Sequence, residues 1–97
     1  PPFGVRDRVT GGEQQGCEEL AVAIDRVRPR LHLFGHIHEG YGWERRADTL
    51  HVNASCCTVS FVPDNAIAVI ELPATGPAVV LRSGRSVKAP SSRSPAR

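Results

Sequence analysis

The sequence predicts an α/β protein built on a mixed β-sheet, and predicts it as the C-terminal part of a larger sheet protein. Leu20, Ala23, Ile24 and Val27 recur at i, i+3, i+4 and i+7, the spacing of one face of an amphipathic helix. Leu31-His32-Leu33-Phe34 comes directly after it as a short buried strand, and further short apolar runs separated by turn residues continue to Arg82. A helix feeding a buried strand completes a β-α-β unit, which requires a strand ahead of the helix. Residues 1–15 read instead as loop, with Pro1-Pro2, Gly4 and Gly11-Gly12 set among charges and Gln. The absence of that strand, and of any Met, initiator included, reads as a piece of a longer polypeptide.

The helix is predicted over about 17–28. Glu18 and Glu19 fall in its first turn and Arg26 and Arg28 near its last, each complementing the helix dipole, and Pro29 ends it. Gly35 stops the strand at 31–34. Gly40-Tyr41-Gly42 is a turn, and 43–49 a charged hairpin or strand edge. Strands are expected at 50–54, at 59–62 and, most strongly, at 66–72, where AIAVIEL runs from a Pro63-Asp64-Asn65 turn to Pro73. A last strand is expected at 78–82. One helix and four to five strands thus occupy residues 1–83 as one domain portion. Residues 84–97 are expected to be a disordered basic Ser/Pro/Arg tail.

Composition narrows the function. With 40% hydrophobic and 23% charged residues the chain is of globular type. No apolar run approaches the roughly 18 residues of a membrane span, and the opening PPFGVRDRV lacks a signal-peptide core. The net charge of +2 hides a split: residues 1–81 hold seven Arg against ten acids, a balance of −3, while 82–97 hold five basic residues and no acid. The body is therefore not a nucleic-acid-binding surface by charge, so no specific nucleic-acid binding and no membrane partner are expected. Three cysteines, two of them adjacent, make no disulfide framework and fit a reducing, cytoplasmic compartment. The sequon Asn53-Ala54-Ser55 lies inside a strand-like run and is discounted.

The chemistry concentrates in residues 31–42, LHLFGHIHEGYG. If the backbone stays extended after the strand, His36 and His38 project to one side, with roots roughly 6–7 Å apart, and both imidazoles reach one metal site. Gly35 lets the chain turn close to a ligand. An isolated H-x-H is also the pattern of ordinary packed or surface histidines; its place directly after an apolar strand favours metal ligation. His32 and His51 lie within strands and read as structural. There is no paired Cys-x-x-Cys and no HExxH.

The run F-G-H-I-H-E-G-Y-G at 34–42 resembles the last metal-binding motif, G-H-x-H, of the calcineurin-like metallophosphoesterases, and more narrowly of the metallophosphoesterase-domain-containing subgroup. P-P-F-G-V-R-D at 1–7, G-C-E-E-L at 16–20, V-R-P-R-L-H-L-F at 27–34, V-N-A-S-C-C-T-V-S-F at 52–61 and the run P-D-N-A-I-A-V-I-E-L-P from Pro63 to Pro73 are similar to that subgroup in the same order. The resemblance implies a sandwich of two mixed β-sheets flanked by helices. It implies hydrolysis of phosphodiesters or phosphomonoesters at a centre of two divalent metal ions, Mn, Fe or Zn, with His36 and His38 as ligands, one to each. The remaining ligand motifs of the family belong to a missing N-terminal part of the same domain. The expected substrate is a small-molecule phosphoester, nucleotides included. The rival expectation is a catalytically silent fragment, pseudoenzyme or binding module that keeps the fold without a complete metal site.

Around the motif, Glu39 reads either as an acid orienting a ligand histidine or as a solvated loop acid. Asn53 and Ser55 end a strand that the fold brings near the site, as candidates to support a ligand or touch substrate. Cys56 and Cys57 read as packing residues. Tyr41 and Trp43 read as loop packing, or as rings on which a nucleobase stacks.

Overall fold

A computed structural model describes residues 1–82, so the predicted tail at 84–97 lies outside the described residues. The elements run α1 (Glu18–Val27), β1 (Leu31–Phe34), a short 3-10 helix η1 (His38–Gly40), β2 (Gly42–Arg46), β3 (Thr49–Asn53), β4 (Val69–Glu71) and β5 (Val79–Arg82). The predicted helix span of 17–28 is met with its two outer residues as caps. Cys17 is extended and its Sγ accepts the Leu20 N–H at 3.3 Å, satisfying one of the amides that a helix start leaves free. Arg28 turns left-handed (φ 56°), and its N–H closes on the Ile24 carbonyl at 2.8 Å.

The strands form two sheets. The first is mixed and ordered β1-β3-β2, with β1 parallel and β2 antiparallel to β3; the second is an antiparallel β4-β5 pair. The charged segment after the turn is indeed one arm of a hairpin: Arg46 pairs with Thr49, so only Ala47 and Asp48 make the connection, with Ala47 at φ 50°. Apolar side chains of the two sheets meet in a small core of Leu50, Val52 and Ala78, against which Leu31, Trp43, Ala68, Ile70 and Val80 pack. Burying Leu50 and Val52 contributes roughly 1.5–3 kcal/mol each. All five residues of β3 are buried, so the central strand is covered on both faces. No residue of α1 is buried, and Leu33 of β1 is 55% exposed. Among the described residues no helix is long and apolar enough to cross a membrane.

Two expected strands change. Residues 59–62 are a turn, not a strand: Phe61 N–H bonds to the Thr58 carbonyl and Thr58 N–H to the Val62 carbonyl, both at 2.8 Å, so the chain doubles back on itself. The long strand expected at 66–72 shortens to β4, because Ile67 is 78% exposed and the Ala66 carbonyl accepts the Tyr41 hydroxyl at 2.5 Å rather than a ladder bond.

Candidate metal-binding loop

β1 is fixed by its parallel ladder to β3, and Ala54 N–H bonds back to the Phe34 carbonyl at 2.9 Å, so the position where the chain leaves the sheet is set. Beyond that point the backbone is not extended. Ile37 N–H bonds to the Gly35 carbonyl at 2.9 Å, a γ-turn centred on His36, whose φ is +75°. That is the rare, strained form of the γ-turn. The expectation that extended backbone aims His36 and His38 together is therefore corrected: His36 heads a tight turn and is exposed, while His38 opens η1 and is half-buried.

His38 is held in one orientation. Its Nδ1 lies 2.8 Å from the Thr58 carbonyl oxygen, and its ring stands edge-on to Phe61 with centroids 5.9 Å apart. A carbonyl only accepts, so Nδ1 carries the proton and the lone pair of the neutral ring sits on Nε2. A backbone acceptor on one ring nitrogen is the usual way a ligating histidine is oriented. The residues present thus fit a metal as a partial donor set. Among the described residues no group of three or more His, Cys, Asp or Glu side chains is placed to hold an ion.

Asn53 is the hub beneath this loop. It is completely buried; its Nδ2 donates to the carbonyls of Ile37 (2.9 Å) and Arg6 (3.2 Å), and its Oδ1 accepts the Ser55 N–H (3.1 Å) and hydroxyl (2.7 Å). With its Nδ2 so engaged, the sequon has no accessible acceptor. Arg6 clamps the loop from the other side, donating from Nε to the Gly40 carbonyl (2.9 Å) and from Nη2 to that of Tyr41 (2.6 Å). Gly40 is required by this closeness, since a Cβ there would lie 2.0 Å from the Arg6 carbonyl oxygen.

Glu39 hydrogen-bonds the first loop and not a histidine. Its Oε2 accepts the Thr10 hydroxyl and N–H, both at 2.6 Å, which holds its carboxyl below the usual range and ties the first loop to η1. Trp43 packs on the core and the Tyr41 hydroxyl is bonded to Ala66, so both serve packing. Cys56 is exposed and Cys57 half-buried, not core residues, and all three cysteines are free thiols. Sequence reasoning passed over Arg6, Thr58 and Phe61, whose roles arise from turns and from contacts distant in the chain.

Two buried groups make stability pH-dependent. His51 stacks edge-on against His32 at 5.6 Å, and neither Nδ1 meets a hydrogen-bond partner among the described residues. Burial, with His32 and Arg46 adding and Asp25 opposing, lowers the His51 pKa to about 4. Burial pushes the Asp7 carboxyl up, but the amides of Gly4 and Gly16 and the Gln14 side chain outweigh it and hold the pKa below the ordinary value. Both shifts are depressions, so both contributions are complete at neutral pH. His51 loses its contribution as pH falls from about 6.5 towards 4, and Asp7 loses its own below about 4. The melting midpoint of the full-length protein is expected to fall steadily across that range. His51→Leu should flatten the upper part, and an unchanged slope between pH 6.5 and 4 in that variant would rule out His51 as its source.

No family model matches the chain. Metallophosphoesterase domain-containing protein 1 of Homo sapiens and its counterpart of the same name in Mus musculus are each 52% identical to it over 75 residues, which is 75% of this chain and 23% of theirs. A UPF0046 protein of Caenorhabditis elegans is 38% identical over 74 residues, 75% of this chain and 19% of its own. The chain spans less than a quarter of the length of these curated relatives.

Proposed function

Because the chain is homologous to the metallophosphoesterase domain-containing proteins over three quarters of its length, we propose that it carries one share of a binuclear phosphoesterase centre. The substrate is a small-molecule phosphodiester or phosphomonoester, a nucleotide among them, and the setting is the cytoplasm. His36 and His38 are the ligands this chain offers. The other donors come from the part of the polypeptide that the relatives have and the matched stretch lacks. Two bound divalent cations would lower the pKa of a water and neutralise charge developing on the phosphoryl oxygens. The observation that carries the reading is the bond between His38 Nδ1 and the Thr58 carbonyl, which leaves Nε2 as the free donor at a fixed place. Asn53 and Arg6 keep the loop in register with the sheet, and Glu39 anchors its far end to Thr10.

A second reading, a catalytically silent piece, is favoured for these residues taken alone by the incomplete donor set among the described residues. Full-length protein is expected to hydrolyse an aryl phosphodiester with added Mn and to stop on chelation, while the 97-residue chain alone stays at blank. Turnover by full-length protein that survives exhaustive chelation would refute the metal reading.

A further inference from the structure

We propose that Phe61 is the shelf against which the organic group of the phosphoester rests, and that this group is a flat aromatic ring. The proposal deepens the phosphoesterase reading and rests on it for the place of the phosphoryl group.

The first observation is strain. Residues 58–62 close a tight loop through Phe61 N–H to the Thr58 carbonyl and Thr58 N–H to the Val62 carbonyl. In this kind of loop the third connecting residue turns left-handed and is commonly Gly. Here it is Phe61, at φ 64°. A bulky residue at positive φ is a true outlier, and strain of this kind beside a candidate ligand points to function.

The second observation is exposure. Phe61 is 79% exposed in this chain and takes no part in its core, and Val59 and Val62 of the same loop are exposed with it. The third is position. The Thr58 carbonyl that orients His38 belongs to the turn that carries Phe61, and the two rings stand 5.9 Å apart. A phosphoryl group held at His38 therefore has its ester substituent beside an exposed apolar ring. Tyr41 and Trp43, the other candidates for stacking, are committed to the Ala66 carbonyl and to the core. An aromatic face next to a charge-binding group selects flat rings through stacking.

The experiment is calorimetric binding of phenylphosphonate, adenosine 5′-monophosphate and methylphosphonate to the Mn-loaded full-length protein. Wild type should bind the two aromatic ligands about tenfold or more tighter than methylphosphonate. Phe61→Leu and Phe61→Gly should both remove that preference, the two aromatic ligands losing more affinity than methylphosphonate, while Phe61→Tyr should keep it. Phe61→Gly should also melt no lower than wild type, because glycine suits the left-handed position. A ring that merely orients His38 would instead weaken all three ligands alike. No preference in wild type, a preference that survives in Phe61→Leu, equal loss for all ligands, or a lowered melting midpoint in Phe61→Gly each overturns the proposal. Binding is read independently of turnover. A protein that shows the preference but hydrolyses nothing keeps the shelf and loses the enzyme reading; hydrolysis without the preference does the reverse.

Discussion

Replacing His38 by Ala in the full-length protein is expected to lower phosphoester turnover by about a hundredfold or more, which corresponds to ~3 kcal/mol of barrier. The side chain is half-buried and lies outside the small core, so the variant should fold and melt near wild type. What it removes is the one imidazole whose tautomer and direction are fixed, by the Thr58 carbonyl at 2.8 Å. His36→Ala is expected to act in the same direction. His36 stands at φ +75° in a strained turn, so His36→Gly should fold at least as well while losing function. Metal content separates this outcome from a packing role. Two equivalents of metal with normal turnover in either variant would strike that histidine from the site.

Loss of Asn53 is expected to be the costliest change to the fold. Asn53→Leu keeps the volume but strips four hydrogen bonds from a fully buried position. It leaves the Arg6 carbonyl without its donor and the Ser55 N–H without its acceptor, at about 1–3 kcal/mol for each buried group left unpaired, while the Ile37 carbonyl keeps the Gly40 N–H. A total of about 3 kcal/mol or more is expected by denaturant unfolding of the full-length protein. Gly40→Ala should rank next, since the added methyl would meet the same Arg6 carbonyl at 2.0 Å. A loss below about 1 kcal/mol for Asn53→Leu would show that the loop does not hang on this amide.

The parts of the fold legible in the sequence are those written in local periodicity. The i, i+3, i+4, i+7 row marked α1, with Pro29 at its end, and the short apolar runs at 31–34 and 50–54 marked two strands, which the structure pairs in parallel. The strand expected at 59–62 failed because its valines and phenylalanine have strand composition, whereas a left-handed Phe61 is invisible to composition. The expected 66–72 strand shortened because an apolar run does not say whether its backbone finds a partner. The histidines of the candidate site stood out through the G-H-x-H pattern. Their backbone did not, because a γ-turn at a non-glycine residue runs against every local preference. Asn53 was picked out by its place at a strand end, but its two carbonyl partners lie 16 and 47 residues away and no local pattern announces them.

Those separations differ in the loop entropy each contact must overcome. The β2–β3 hairpin joins neighbours across two residues and has little loop entropy to overcome. β1 must then find β3 in parallel, past the hairpin. The bonds from Asn53 to Arg6 and from Arg6 to Gly40 span 47 and 34 residues and form only once both ends are in place. The histidine loop thus depends on contacts between residues far apart in the chain. Every partial opening that releases the N-terminal segment also erases the loop's geometry, so the site exists only for the fraction of time that the whole assembly is closed.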